Sequence, residues 1–483
     1  MRMKLFVLLV VAVFAAVGAK AQAQSDLQRL ADTLDVSTTK SFQFTATGTM
    51  FALGQSTSPA APWPRQFVKS LTRVYDFTTN TMRDEWVRMA GETQTVGPEQ
   101  QTVQVVSGDH AWNVAGKDML PRFWEVNERQ HYIWTSPHGV IRAAFANNAT
   151  TTKQTINGQQ MTVVSFVEKD KQKIIAYAND QNAIERVESW YGHPVSGDIK
   201  VVTYYGPYRD FAGVKFPGKI IQYQDDKPTW DLTVTAVRPN PPVNIEVPEN
   251  VRTNPAPVKS EKAADGIWYI TGGSHHSVAI EMKDYVIVVE GPQGDQRSMA
   301  VIAEVKKSIP NKPIKYLVNT HHHFDHSGGI RAYAAEGATI VTHEINKPYY
   351  EKAVANSHNL SPDRLAKSGK KPVFQTMGDN MVLTDGTRSV ELYQIIGNGH
   401  HDGIIMAYLR KEKVLIEADV FTPGPPDAPP PATPNPISVN LDSNVRRLGI
   451  EVDRILPLHG RIVQYSELQK AVTSPKPKPE PQK

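Results

Sequence analysis

The sequence predicts a two-domain α/β protein, with a mainly antiparallel β domain first and a domain that contains parallel strands second. Three observations lead to this prediction. The chain has 483 residues, which is longer than a single hydrophobic core usually supports. Residues 41–237 contain β-rich segments in which polar and apolar positions alternate, and after residue 258 the rhythm changes to strand, helix, strand.

The first 23 residues have the layout of a cleavable secretory signal peptide. Arg2 and Lys4 precede an apolar run from Leu5 to Val17, and small residues follow at the expected cleavage region. The run is short for a bilayer span. We therefore expect cleavage without stable membrane insertion, and a soluble mature protein in the periplasm or outside the cell.

Removal of residues 1–23 lowers the formal net charge from +4 to +1, because Arg2, Lys4 and Lys20 are lost. A nearly neutral chain offers no extended basic surface, so we do not expect nucleic acid or anionic lipid as a partner. The chain has no cysteine, which excludes disulfides and thiolate metal ligands. A metal must therefore be held by histidines and carboxylates, and the expected partner is a small-molecule substrate.

Residues 24–237 form the predicted β-rich amino-terminal domain. Representative strand segments are Ser41–Ala46, Met161–Val167, Ile199–Tyr205 and Thr229–Val237. Their β-branched and aromatic residues alternate with polar ones, which indicates an antiparallel, curved sheet with one wet face. Residues 118–146 interrupt this pattern, and we interpret them either as helix or as a long excursion. Residues 238–257 are rich in proline and show neither the strand period nor the helix period of apolar residues, so we interpret them as a linker.

Residues 258–470 form the predicted catalytic domain. The segments Tyr285–Val289 and Ile314–Val318 are typical of buried strands, and the amphipathic helix Ser298–Ile309 separates them. This order predicts a parallel βαβ unit. A further helix, Gly329–Glu336, and a strand, Ala338–Thr342, continue the pattern. The tail, residues 471–483, alternates proline with Lys, Glu and Gln, and we expect it to be disordered.

The strongest functional signal is the loop His321-His322-His323-Phe324-Asp325-His326, which follows a buried strand. His321 and His323 are two residues apart, so both can project to the same side and share a metal. Imidazole and carboxylate suit zinc. A disordered histidine cluster on the surface is the alternative, but the preceding strand and the following Gly328-Gly329 favour a structured loop.

Three further residues of ligand type lie at junctions of loops and strands. His400 precedes an apolar strand, Asp419 follows another, and His459 comes directly before Gly460. Buried sheets of this kind carry their sites at the carboxyl ends of strands. Chance would seldom place three further ligand-type residues at such junctions.

Together, these residues resemble the metallo-β-lactamase superfamily over about residues 258–470. The resemblance implies a four-layer αββα sandwich with the site at one edge of its two sheets. It also implies two zinc ions, the first bound by His321, His323 and His400, the second by Asp325, His326 and His459, with Asp419 bridging both. Asp325 would in addition orient the shared water and move its proton.

Several neighbouring residues compete for roles or depart from the family pattern. His401 is adjacent to His400, but the glycine register of the family favours His400. His322 is expected to point away from the metals. Glu290 stands where the family usually has an aspartate, which affects the support of the metal loop.

Three histidines outside the motif are expected to have no ligand role. His343 follows a strand and is interpreted as a packing or supporting residue. His275 and His276, in a turn near the domain start, are interpreted as a pair on the surface or rim.

The predicted function is a secreted dinuclear zinc hydrolase that uses a metal-bridging hydroxide on an ester, lactone, thioester or phosphoester. A bridging aspartate resembles lactonases, thioesterases and phosphodiesterases more than β-lactamases, and there is no Gly-x-Ser-x-Gly pattern for a covalent route. The alternatives are a mononuclear iron sulfur dioxygenase, a β-lactamase and a periplasmic ligand-binding or delivery protein. The proline-dense loop at residues 423–436 is either a wall of the site or a rigid connector.

Overall fold

The computed structural model describes residues 20–89, 91, 99–168 and 172–473. The predicted signal peptide lies outside this range except for residues 20–23, which are helical, and the predicted tail lies outside it from residue 474 onward. Within the described residues, no helix is both long enough and apolar enough to cross a membrane.

The amino-terminal part is built on one antiparallel sheet of 13 strands, in the order β6-β5-β4-β3-β2-β1-β15-β14-β11-β10-β9-β8-β7, beside a separate hairpin of β12 and β13. The strands are β1 Ser41–Phe51, β2 Arg65–Asp76, β3 Thr81–Met89, β4 Gln100–Ser107, β5 His110–Ala115, β6 Asp118–Pro121, β7 Thr150–Ile156, β8 Gln159–Glu168, β9 Gln172–Ala178, β10 Ile184–His193, β11 Gly197–Tyr205, β12 Tyr208–Phe211, β13 Val214–Pro217, β14 Lys219–Gln224 and β15 Lys227–Pro239. The predicted antiparallel sheet is confirmed.

Three helices pack against this sheet: α1 over residues 20–33, α2 Val126–Thr135 and α3 Pro137–Ala146, with a 3-10 turn at Phe123–Glu125. Leu30 of α1, Ile133 of α2 and Val140 of α3 belong to the same buried core as the strand residues. Ser136 caps α3 by accepting a hydrogen bond from the Gly139 amide, as expected before a proline at the first helical position. The segment 118–146 therefore begins with the strand β6 and continues with the helices α2 and α3.

The proline-rich segment between the two parts contains one short helix, α4 Glu249–Thr253. Val251 packs against Val105 and Trp112 of the amino-terminal sheet, so this segment follows the sheet surface. The division of the chain at residues 24–237, 238–257 and 258–470 stays a prediction.

The carboxy-terminal part contains two further sheets. The first has seven strands in chain order, with β19 to β22 parallel, and the second has six, with β26 and β27 parallel. The strands are β16 Lys259–Ala264, β17 Ile267–Thr271, β18 Ser277–Glu281, β19 Val286–Val289, β20 Ile314–Val318, β21 Thr339–His343, β22 Val373–Met377, β23 Asn380–Thr384, β24 Ser389–Gln394, β25 Ile405–Leu409, β26 Val414–Glu417, β27 Arg454–Pro457 and β28 Val463–Gln464.

Helices cover the outer faces of both sheets. The helices of this part are α5 Asp295–Ser308, α6 Phe324–Ser327, α7 Ile330–Glu336, α8 Lys347–Ala355, α9 Arg364–Ser368, α10 Pro436–Leu448 and α11 Tyr465–Val472, with a 3-10 turn at Glu344–Asn346. One core lies between the sheets, a second joins α5 and α7 to the first sheet, and a third joins α10 and α11 to the second. The predicted four-layer αββα sandwich is confirmed.

Candidate metal centre

The predicted metal loop, residues 321–326, follows β20 and leads into α6. His321, His323 and His326 are buried, with at most 1% of their surface exposed. Asn319 holds the loop from the strand end, because its Nδ2 donates to the His321 carbonyl at 2.8 Å. The backbone is thus fixed at the point where the histidines leave the sheet.

Asp419 lies where the predicted ligands converge. Its Oδ2 is 3.0 Å from Nε2 of His326 and of His400, and 3.3 Å from Nε2 of His321. Its Oδ1 is 2.8 Å from Nε2 of His459. Ligand atoms bound to one zinc at about 2.0–2.2 Å lie roughly 3.3 Å apart. The separations therefore fit ligands that share metal ions.

The second ring nitrogen of these histidines is held by the protein. His326 Nδ1 donates to Glu290 Oε2 at 3.1 Å, and His459 Nδ1 donates to the Ser274 carbonyl at 2.8 Å. An acceptor on one nitrogen fixes the proton there and leaves the lone pair on the other. Both Nε2 lone pairs are therefore directed at the Asp419 carboxylate region.

In His323 the two ring nitrogens exchange roles relative to His326 and His459. Its Nε2 donates to the Ser56 carbonyl at 2.9 Å, and its Nδ1 is buried with no hydrogen-bond partner in the described part of the chain. His323, His321, His400 and Asp419 each offer a ligand atom within 4.8 Å of the others. A buried ring nitrogen without a hydrogen-bond partner, close to other ligand-type atoms, is expected of a residue that binds a metal. These residues therefore fit a metal ion.

Glu290 supports the loop although it replaces the expected aspartate. It is fully buried. The Thr320 hydroxyl donates to Glu290 and accepts from His321 Nδ1 at 2.9 Å. One carboxylate therefore sets the ring proton of His326 directly and that of His321 through Thr320.

Asp325 lies beside the histidine groups and is held at both oxygens. Gln55 Nε2 donates to Oδ1 at 2.7 Å, and His275 Nε2 is 3.0 Å from Oδ2. Oδ2 is 3.9 Å from His326 Nε2. On this side, His275, His326 and His459 each offer a ligand atom within 4.8 Å of the others, and Asp325 does not belong to that group.

The prediction that His275 and His276 form a pair on the surface or rim is wrong. Their exposed fractions are 7% and 5%. His276 Nε2 donates to the Gly460 carbonyl at 2.9 Å, and the His275 ring lies 4.2 Å from that of His459. Both histidines are covered because residues distant in sequence fold over their turn, and no local pattern signals that.

The two adjacent histidines at 400 and 401 take different positions. His400 reaches Asp419, whereas His401 Nε2 is 2.6 Å from Nδ1 of His322. His322 therefore pairs with His401 away from the Asp419 carboxylate. His343 caps the 3-10 turn that follows it by accepting from the Ile345 amide at 3.3 Å, which is a supporting role.

Burial and neighbouring charges strongly shift the pKa values of the residues in the site. Burial alone would lower the pKa of His326, but Asp419 and Asp325 outweigh it and raise that pKa well above its ordinary value. Burial would raise the pKa of Asp419, and the neighbouring His326 and His459 instead hold it well below the usual range. Burial lowers the pKa of His275 to about 3, with His459 adding to the effect. Metals bind neutral imidazoles and ionised carboxylates, so an ion that binds His326 would displace the proton that Asp419 and Asp325 hold on that ring.

A groove of about 1130 Å³ opens onto this centre. Asp325, His400, Asp419 and His459 lie at its base. The proline-dense loop, residues 423–431, forms one wall, and residues of the amino-terminal part form another. The loop therefore borders the site, which the sequence left open.

Comparison with known proteins places this site in a family. Residues 270–459 match the family model described as the metallo-beta-lactamase superfamily. A curated relative, the 2,4-dinitroanisole O-demethylase subunit alpha of Nocardioides sp. (strain JS1661), is 26% identical over 203 residues. The match covers 41% of this chain and 57% of the relative, so this chain spans little more than half the length of that protein.

Solved structures with similarity include a metallo-β-lactamase from Pontibacter korlensis, with 18% identity and a TM-score of 0.35, which covers 44% of this chain and 97% of its own. Another, from Hirschia baltica, has 19% identity and a TM-score of 0.35, and covers 46% of this chain and 99% of its own. By the match of residues 270–459 to the family model, the carboxy-terminal part of the chain belongs to the metallo-β-lactamase superfamily.

Proposed function

We propose that the protein is a dinuclear zinc-dependent hydrolase of an ester, lactone, thioester or phosphoester. The observation that carries this proposal is the convergence of four imidazole nitrogens on the two oxygens of Asp419. A carboxylate with ligands on both oxygens is suited to bridge two ions. The proposed first set is His321, His323 and His400, and the proposed second set is Asp325, His326 and His459, with Asp419 shared.

When bound, a zinc pair lowers the pKa of a shared water and polarises the substrate. The protein residues hold the reacting groups in place. Glu290 fixes the ring protons of His326 and, through Thr320, of His321. Asp325 is held between Gln55 and His275, so its carboxylate is oriented to accept a proton at the base of the groove.

The groove favours a sizeable substrate. Its volume of about 1130 Å³ exceeds the range of about 300–1,000 Å³ typical of small-molecule sites. Within its walls, Arg461 is paired with Glu467 at 2.6 Å. Because Glu467 neutralises Arg461, we propose that Arg461 does not bind an anionic group of the substrate.

A second candidate is cleavage of an aryl ether, favoured by the similarity to the 2,4-dinitroanisole O-demethylase subunit. β-Lactam opening ranks lower, because a bridging aspartate makes the proposed site resemble those of lactonases, thioesterases and phosphodiesterases more than those of β-lactamases. A mononuclear iron dioxygenase would leave His326 and His459 without a purpose at Asp419.

A substrate panel of lactones, thioesters, phosphodiesters, β-lactams and 2,4-dinitroanisole tests the proposal. We expect turnover of at least one ester-type substrate, lost in His323→Ala because the first metal site is broken. His110→Ala, at the start of β5, is the matched control and should retain full turnover. Oxygen consumption with a persulfide, or equal activity of His323→Ala, would contradict the proposal.

We further propose that residues 1–23 direct export and are removed, which leaves the mature protein in the periplasm or outside the cell. Cell fractionation followed by mass analysis of the mature amino terminus tests this. An intact Met1 terminus in the cytoplasmic fraction would contradict it.

A further inference from the structure

The connection between β1 and β2 enters the metal centre from the amino-terminal part. Gly54, Gln55, Ser56 and Thr57 make its contacts, and we name these residues the site loop. Gln55 Nε2 donates to Asp325 Oδ1 at 2.7 Å. A hydrogen bond to a carboxylate is stronger than one between neutral groups, so this amide restrains the direction of the Asp325 side chain.

Ser56 contacts two histidines of the metal loop. Its carbonyl accepts from His323 Nε2 at 2.9 Å, and its hydroxyl is 3.3 Å from His322 Nε2. The first contact places the ring proton of His323 on Nε2. The free lone pair is therefore on Nδ1, the buried nitrogen that has no partner in the described part of the chain.

The site loop also reaches the segment that carries His400. The Asp402 amide donates to the Thr57 carbonyl at 2.7 Å. The site loop thus joins the metal loop, which follows β20 of the first sheet, to the loop that carries His400 before β25 of the second sheet.

Gly54 provides the close approach. Its φ is +66°, and a Cβ built on it would lie 2.3 Å from Phe324 Cγ. The Phe324 ring also lies 4.4 Å from the ring of His193, at the end of β10. Phe324, inside the metal loop, is therefore enclosed by amino-terminal residues, and a larger side chain at position 54 would force the site loop away.

We propose that the site loop is a positioning element of the metal centre. Gln55 orients Asp325, and the Ser56 carbonyl selects the ring form of His323 that leaves Nδ1 free for the metal. The proposal rests on the proposed function, since it requires that these residues bind metal. It also gives the amino-terminal part a role in the site: without the site loop, the support of Asp325 and His323 is incomplete.

Zinc affinity of the full-length protein tests this inference with three variants. Gln55→Leu removes the amide while keeping a similar side-chain size, and Gly54→Val displaces the site loop. Gln160→Leu, on the exposed side of β8, is the matched control. Affinity is measured by competition with a chromophoric chelator, the ligand field by the visible spectrum of the cobalt-substituted protein, and folding by the Tm of the metal-free protein.

Loss of a partner that orients a metal ligand costs roughly 10–100-fold in metal affinity. We expect such a loss in Gln55→Leu at an unchanged metal-free Tm, a larger loss and an altered cobalt spectrum in Gly54→Val, and no change in Gln160→Leu. Wild-type affinity and spectra in both site-loop variants would overturn the inference while leaving the proposed function intact. Failure of the unaltered protein to bind metal would overturn both.

Discussion

Asp419 is the residue on which the proposed chemistry depends most. Its backbone has a φ of 64°, in the left-handed region where a non-glycine residue costs roughly 1–3 kcal/mol. Burial would raise its pKa, but His326 and His459 keep that pKa well below the usual range. The carboxylate is therefore ionised throughout the neutral and mildly acidic range, as a bridging ligand requires.

Replacement of this carboxylate tests the bridging role. Asp419→Asn keeps the size but removes the charge, and we expect loss of at least one zinc equivalent and a fall in turnover of about 100-fold or more. Asp427→Asn is the matched control, because Asp427 lies in the same groove outside the proposed ligand set. Full metal content in Asp419→Asn would contradict the bridging role.

Glu290 allows a sharper test of the ligand support. A glutamine has one acceptor oxygen, so Glu290→Gln cannot accept from both Asn319 and Thr320 as the carboxylate does. We expect zinc affinity to fall roughly 10–100-fold, and Glu290→Asp, the residue usual in the family, to recover part of it. Isothermal titration with zinc measures both. An unchanged affinity in Glu290→Gln would show that the charge of Glu290 and its bond to Asn319 do not contribute to zinc binding.

The sequence identifies the proposed ligands but not the residues that hold them. His321, His400 and Asp419 stand at strand ends, where a local pattern signals them. Gln55 lies in an ordinary polar turn and reaches Asp325 across 270 positions of the chain. His275 is hidden in the same way, because it contacts residues later in the chain, among them Asp325 and His459.

At the level of elements, buried parallel strands were the most predictable feature. β20 occupies the predicted residues Ile314–Val318, and all four residues of β19 are fully buried. Such strands are apolar throughout because both faces are covered. Strand order in the large sheet was not predictable, since β1 pairs with β15 at the far end of the domain and alternation within a strand carries no information about its neighbours.

A buried histidine in a helix that packs against the large sheet predicts how the stability of the protein depends on acid pH. His138 of α3 is packed 4.5 Å from the Phe42 ring, and burial lowers its pKa to about 3 from 6.5. The unfolded chain therefore binds a proton at higher pH than the folded one. Folding stability is present above pH 6.5 and is lost as the pH falls toward 3, by up to about 1.4 kcal/mol for each pH unit.

His138→Phe removes this titration and keeps an aromatic ring among its neighbours. We expect the Tm of this variant to fall less than that of the unaltered protein between pH 7 and pH 4.5. Thermal unfolding at both pH values, followed by circular dichroism, measures the difference. An identical fall in both proteins would show that protonation of His138 does not contribute.

For the whole molecule, the proposed metals would add a further connection between parts that already contact one another. His321 follows β20 of the first central sheet, while Asp419 and His459 follow β26 and β27 of the second. The site loop attaches the amino-terminal sheet to the same point. A bound ion would therefore stabilise the contact of all three sheets.

Metal removal should lower the stability of the folded protein. A ligand present at about 1,000 times its Kd contributes about 4 kcal/mol to the folded state, so we expect chelation to lower the Tm by several degrees and zinc to restore it. Differential scanning calorimetry with and without a chelator measures this change. A Tm that is indifferent to chelation and to added zinc would contradict a metal shared by the sheets.

The metal content of the purified mature protein tests the dinuclear centre most directly. Inductively coupled plasma mass spectrometry should find two zinc ions per chain, and anomalous scattering at the zinc edge should place them on either side of Asp419. One iron per chain, or no metal after purification in the presence of zinc, would contradict the proposed centre.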